Sequence, residues 1–259
     1  MHTGMTNSQA RHWIGTSWKM NKTLPEAAEF AKRLLGVDIP GSVQPFVIPP
    51  FTALASVATI LRDSGVLVGA QTMHWADQGS WTGEISAPML VDAGAQLVEL
   101  GHSERRQHFG ETDHTVNLKV LSALRHGLIP LICIGEDHDE RAWGVARATL
   151  ERQIRVALLG VRPDEAHRVV LAYEPVWAIG ETGRPAPADL VAQTHRDIRR
   201  ILVDMGTGFA GLRILYGGSV SPDNAPDYLD SPDVGGLFVG RSAWNVDGYQ
   251  SILRAGAPS

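Results

Sequence analysis

The sequence predicts an α/β protein built as a single closed (β/α)8 barrel, and three observations predict it. The chain has 259 residues and is 44% hydrophobic, which is enough for one large core. Short apolar runs of strand length alternate with stretches of helical periodicity and never follow one another as tandem hairpins. Such strands must lie parallel, joined by right-handed crossovers, and about eight of these units close on themselves rather than forming an open sheet. Residues capable of chemistry also recur just past the ends of the apolar runs, and in a barrel those ends converge on one rim. The domain is expected to span 1–259, with 1–11 as a flexible tail.

The elements follow in order. Residues 13–17 (WIGTS) read as the first strand, closing in Trp18-Lys19-Met20-Asn21. Pro25 opens a helix over 25–35, with Ala27, Ala28, Ala31 and Leu34 or Leu35 at helical spacing. A second strand at 46–48 is stopped by Pro49-Pro50, and a helix covers 52–62. The third strand, 66–70, leads into a long loop, 71–84. With Met73, Trp75 and Trp81 that loop is too apolar for a solvated linker, so it predicts a partner surface. A helix starts at 86–89, and strand four, 96–100, delivers Gly101-His102-Ser103-Glu104-Arg105-Arg106. A helix over 116–125, strand five at 129–134 and one long helix over 139–158 come next. Strand six, 169–172, is followed by a helix at 187–202. Strands seven (212–216) and eight (236–239) enter Gly217-Gly218-Ser219 and Gly240-Arg241, and the last helix is 246–254.

Strand six ends in one carboxylate, Glu174, and Pro175 follows at once, which holds Glu174 extended and stops the strand. Beyond it come Val176, Trp177 and Ile179, the pair Gly180 and Gly183, and a second proline, Pro185. Stiff ends, a mobile middle and an apolar underside describe a hinged lid that shuts out water. A lone glutamate before a proline is more often structural. Here a lid hangs from the acid, and Lys19, His102, Ser219 and Gly240 stand at equivalent places past other strands, so the set reads as one site.

Composition excludes several classes. The formal charge of −5 argues against a nucleic-acid surface. No apolar run approaches the roughly 18 residues a membrane span needs. Residues 1–10 lack the basic start and apolar core of a signal peptide, and the one cysteine, Cys133, permits no internal disulfide, so a reducing cytoplasm is expected. No His, Cys or Asp cluster has metal-ligand spacing, and no dinucleotide or Walker pattern occurs, so no metal and no cofactor is expected.

Ser17-Trp18-Lys19-Met20-Asn21, Thr82-Gly83-Glu84-Ile85-Ser86-Ala87, Gly101-His102-Ser103-Glu104-Arg105-Arg106, 172–180 and Tyr216-Gly217-Gly218-Ser219-Val220 resemble the triosephosphate isomerase family in order over almost the whole chain. That family is itself a standing example of lid closure and of a histidine kept neutral. The resemblance implies the TIM-barrel fold, no cofactor, and an isomerase acting on a small phosphorylated sugar. Glu174 then resembles the base that moves a proton between adjacent carbons, and His102 the neutral imidazole that polarises the carbonyl. Lys19 resembles the cation that stabilises the enediolate, and Glu104 a supporting carboxylate. Such chemistry puts negative charge on an oxygen, which needs fixed donors. Ser103 can cap the segment after His102 and place the imidazole at a helix N-terminus that disfavours its protonation. Gly180, Ser219 and Gly240 allow close backbone approach to phosphate. Loop 71–84 resembles the family's interdigitating loop, which implies a homodimer.

Three departures lie on the substrate rim. Ser17 stands where the family has Asn beside the reacting part of the substrate. The lid reads Gly180-Glu181-Thr182-Gly183-Arg184-Pro185 where the family has Gly-Thr-Gly-Lys. Gly240-Arg241 replaces Gly-Gly, with Phe238 where an aliphatic residue is usual. The same proton chemistry on a larger phosphosugar fits these changes, because serine vacates volume for one more hydroxymethyl group. Residues 15–24 and Gly240-Arg241-Ser242-Ala243-Trp244 resemble the erythritol-pathway members of the family, which interconvert L-erythrulose 1-phosphate and D-erythrulose 4-phosphate. The alternatives are the ordinary triose reaction, or a phosphate-binding barrel without turnover.

Overall fold

Eight parallel strands pair in sequence and close through β1 and β8 into a barrel. They are β1 His12–Ser17, β2 Val43–Ile48, β3 Leu67–Ala70, β4 Leu97–Leu100, β5 Ile129–Ile134, β6 Val170–Tyr173, β7 Arg213–Tyr216 and β8 Gly236–Val239. This computed structural model describes residues 11–180 and 183–257. Apart from Arg11, the tail expected over 1–11 therefore lies outside the described residues, as do Glu181 and Thr182 of the lid. The (β/α)8 fold is the one the alternation of runs implies.

Successive strand residues face opposite sides, and two apolar clusters result. One fills the barrel and includes Trp13, Phe46, Ile48, Leu97, Leu131, Cys133, Val170, Ala172, Leu215 and Phe238. The other packs the outer strand faces against the helices. Large interior side chains need small neighbours. A Cβ on Gly15 would fall 2.3 Å from the Phe46 ring, and one on Gly69 would fall 2.7 Å from Leu97. Phe238 fills its position by stacking on Phe46, with ring centroids 5.7 Å apart.

The helices are α1 Leu24–Leu34, α2 Phe51–Ile60, α3 Ala87–Asp92, α4 Ser103–His108, α5 Asp113–Arg125, α6 His138–Ala142, α7 Ala146–Ala157, α8 Ala188–Asp204, α9 Ala225–Leu229 and α10 Val246–Ala255. In α1 the Glu26 carboxylate accepts the Thr23 N–H at 2.7 Å, which anchors the first turn. Its buried stripe is Ala27, Phe30, Ala31 and Leu34. The helix expected over 139–158 is two helices. Gly144, at φ 74° in the left-handed region, breaks it between α6 and α7, and the apolar period runs through that break and so conceals it.

Loop 71–84 also differs from expectation. Met73 is 1% exposed and belongs to this chain's own outer core, so it has no surface to lend to a partner. Apolarity shows that a residue is buried, not what buries it. Trp81 is 50% exposed and packs with Trp75 against the His74 ring, with centroids 4.4 and 4.1 Å from it. No helix among the described residues is long and apolar enough to cross a membrane.

Candidate active site

The carboxyl ends of the strands surround a cavity of about 320 Å³, within the range of small-molecule sites. Ser17 at the end of β1, Lys19 just beyond it, His102 after β4 and Glu174 after β6 line it. Gly180 of the lid, Ser219 after β7 and Gly240-Arg241 after β8 line it too. Eight of the nine expected residues therefore share one space. Glu104 does not line it; its Oε1 accepts a hydrogen bond from Lys19 Nζ at 2.7 Å.

Lys19 sits at φ 51°. That left-handed conformation costs a non-glycine residue about 1 kcal/mol or more. The Gln71 amide holds it by donating to the Lys19 carbonyl at 2.8 Å. Burial works against the ammonium, but the Glu104 bond and the nearby Glu174 and Glu99 carboxyls outweigh it and raise its pKa. Lys19 is therefore a fixed cation at the cavity edge.

His102 caps α4 itself. Its Nδ1 accepts the Glu104 N–H at 3.1 Å, which corrects the expectation that Ser103 would cap this segment. A nitrogen accepting a backbone N–H cannot carry a proton, so the proton of the neutral ring is on Nε2. Burial, then the Lys19 charge, push the imidazolium pKa down to about 4. The expected neutrality thus has burial as its leading cause.

Glu174 sits where two glycines make room for it. A Cβ on Gly135 would fall 1.9 Å from its carbonyl oxygen, and one on Gly217 would fall 2.7 Å from Oε1. Burial pushes the carboxyl up to about 7, against the Cys133 thiol and Lys19, which favour the anion. Its Oε2 is buried without a hydrogen-bond partner among the described residues and lies 3.8 Å from His102 Nε2. An unpartnered oxygen on a poised carboxylate, beside a ring N–H and an ammonium, can take a proton from carbon while the neutral ring N–H and the Lys19 ammonium hold the resulting oxyanion.

The lid is pinned at its base. Glu136 is fully buried, and its Oε1 accepts from Trp177 Nε1 at 3.0 Å and from the Tyr173 hydroxyl at 3.2 Å. Trp177 thus anchors the hinge rather than facing the cavity; Ile179 is the apolar lid residue that does face it. The Ser219 hydroxyl donates to the Ala178 carbonyl at 2.8 Å and ties the loop after β7 to the lid. Gly180 needs its glycine for φ 85°, whereas a Cβ on Gly240 would meet nothing within 4 Å. Arg241 is exposed, with its guanidinium 3.5 Å from the Gly180 carbonyl.

Sequence reasoning passed over Glu99. It points into the barrel on the same face as Leu97, is 3% exposed, and its Oε2 accepts the Ser17 hydroxyl at 2.8 Å. Burial, then the Glu174 charge, raise its pKa to about 8; Glu104 adds to this, while Ser17 and Lys19 oppose it. The signal was available: one acid inside the otherwise apolar run Leu97-Val98-Glu99-Leu100. Among the described residues no group of three or more His, Cys, Asp or Glu side chains is placed to hold a metal ion.

A family model described as triosephosphate isomerase matches residues 12–256. The chain is 54% identical over 246 residues to L-erythrulose-1-phosphate isomerase of Rhizobium etli, covering 93% of this chain and 91% of that one. It is 55% identical over 246 residues to the enzyme of the same name from Brucella abortus, covering 94% and 95%. To that from Mycolicibacterium smegmatis it is 50% identical over 252 residues, covering 96% and 94%.

Proposed function

This chain belongs to the triosephosphate isomerase family and is a phosphosugar isomerase, and we propose that it interconverts L-erythrulose 1-phosphate and D-erythrulose 4-phosphate. The observation that carries the chemistry is the unpartnered Oε2 of Glu174 facing His102 Nε2 at 3.8 Å. In the forward step Glu174 takes the proton from C3 of the ketose. The C–H electron pair becomes the C2–C3 double bond, and the carbonyl pair moves onto O2. His102 Nε2–H and Lys19 stabilise the resulting enediolate. Glu174 then returns the proton to C2 while the O3 proton passes to O2 by way of His102 Nε2. The carbonyl has thus moved one carbon, and the phosphate, which has not moved, is on C4 of the product as numbered from its other end. Glu104 positions Lys19 rather than touching substrate.

The phosphate is assigned to Gly180, Ser219, Gly240 and Arg241. The open backbone at Gly240 and the exposed guanidinium beside the lid support that assignment. The four-carbon substrate is supported by the names of the three relatives and by the short side chain of Ser17 on the cavity wall. A cytoplasmic homodimer completes the proposal. Met20 at 97% exposure and the Trp81 stack leave apolar surface on and beside loop 71–84 that a second copy would cover. The decisive experiment assays purified protein side by side on L-erythrulose 1-phosphate and on dihydroxyacetone phosphate. Higher kcat/KM on the tetrulose phosphate supports the assignment, and turnover of the triose alone refutes it.

A further inference from the structure

Every expected catalytic group is accounted for by the chemistry above, but one buried acid is not. Glu99 lies in the barrel interior among residues such as Leu97, Leu131 and Cys133. Burying a carboxyl there costs more than burying an aliphatic side chain of similar volume, so its presence calls for an offsetting role. Its hydrogen bond to the Ser17 hydroxyl at 2.8 Å supplies a candidate. Ser17 lines the substrate cavity beside Lys19, and its main chain is fixed as well, since Trp244 Nε1 donates to the Ser17 carbonyl at 2.9 Å. A serine hydroxyl has one proton and two lone pairs. With that proton directed at Glu99, the hydroxyl turns acceptor lone pairs toward the cavity.

We propose that Glu99 is a specificity-positioning residue: by holding the Ser17 proton it makes Ser17 a fixed acceptor for the extra hydroxyl that a four-carbon ketose phosphate carries and a triose phosphate lacks. This rests on the tetrulose reading above. A carboxyl kept neutral by burial suits the place, because a second anion beside Glu174 would oppose the enediolate, and Glu99 Oε2 accepts the Ser17 proton as the carbonyl oxygen of that neutral acid. Glu99 touches neither substrate nor reacting atoms; it acts through Ser17.

The test measures kcat and KM on L-erythrulose 1-phosphate, and kcat/KM on dihydroxyacetone phosphate, for wild type, Ser17→Ala, Glu99→Leu, Glu99→Gln and the Ser17→Ala/Glu99→Leu pair. A contact made equally in ground and transition states appears in KM. Glu99→Leu should therefore raise KM for the tetrulose phosphate by roughly 10-fold or more, the scale set by one lost polar contact in a packed site, and change kcat little. Glu99→Gln keeps an acceptor for Ser17 and should return KM toward the wild-type value. The paired variant should be no worse than Ser17→Ala alone, because both changes remove one device. If Glu99→Leu does not fold, Glu99→Met carries the same comparison, and Ser17→Ala by itself must raise the tetrulose KM. The inference is overturned by an unchanged tetrulose KM in Ser17→Ala, by equal loss on both substrates in Glu99→Leu, or by additive losses in the pair. Wild-type enzyme turning over only the triose overturns the substrate reading instead.

Discussion

His102 Nε2 stands 3.8 Å from Oε2 of Glu174, and the two groups are tuned in opposite directions by the same burial. Leaving water disfavours a charge of either sign, so the imidazolium becomes more acidic and the carboxyl less so. The result is a neutral donor facing a base that titrates near neutrality.

Removing the base should dominate the kinetics. Glu174→Gln leaves the shape of the side chain and deletes proton transfer, and Glu174→Asp withdraws it by one methylene. Both should lower kcat by roughly 10²-fold or more with the circular dichroism spectrum intact. Near-normal turnover in Glu174→Gln would exclude Glu174 as the base.

The pH profile follows from the two titrations. A base that ionises at about 7 loses activity as pH falls, so kcat/KM should drop toward roughly tenfold per unit below that value and flatten above it. His102, with its pKa at about 4, stays neutral over the same range. An NMR titration of the His102 ring checks this directly, and a midpoint near the ordinary histidine value contradicts it.

Stability should carry the signature of Glu99. Its folded pKa of about 8 lies above the ordinary 4.5, so between these values the folded state binds the extra proton. Stability then falls as pH rises through that window. Glu99→Gln has no such proton to lose. Its Tm relative to wild type should climb from pH 5 to pH 8 and level off above, as read by calorimetry; a difference independent of pH would mean that Glu99 is ionised when folded.

The proposed dimer is checked by light scattering. Wild type at micromolar concentration should show twice the chain mass, and Trp81→Glu, which puts a charge on the exposed ring stack, should shift the mass toward one chain. A wild-type monomer would remove the dimer from the proposal.

Much of this molecule was legible because burial repeats along the chain. The barrel strands are apolar runs that need no partner to be recognised, and Lys19, His102, Glu174, Ser219 and Gly240 could be assigned to one rim because each follows such a run. Where the reading failed, the missing information concerned a partner distant in sequence. The break at Gly144 is the exception: the glycine that makes it and the spacing of Ala142, Ala146 and Leu150 that conceals it are both local. Met73 needs cover and finds it in its own core, and Trp177, expected on the apolar underside of the lid, turns instead to Glu136, 41 residues back along the chain.

The sequence by itself determined which elements form and which rim carries the chemistry, because strand and helix periods and the residues beyond each strand are local properties. Tertiary structure alone decided how those groups behave. That Glu174 keeps Oε2 without a partner among the described residues while it faces His102, and that Glu99 reaches Ser17 across 82 positions, both depend on distances set when the barrel closes. Hydrogen bonds and desolvation act over a few ångströms of space, and no spacing along the chain encodes them.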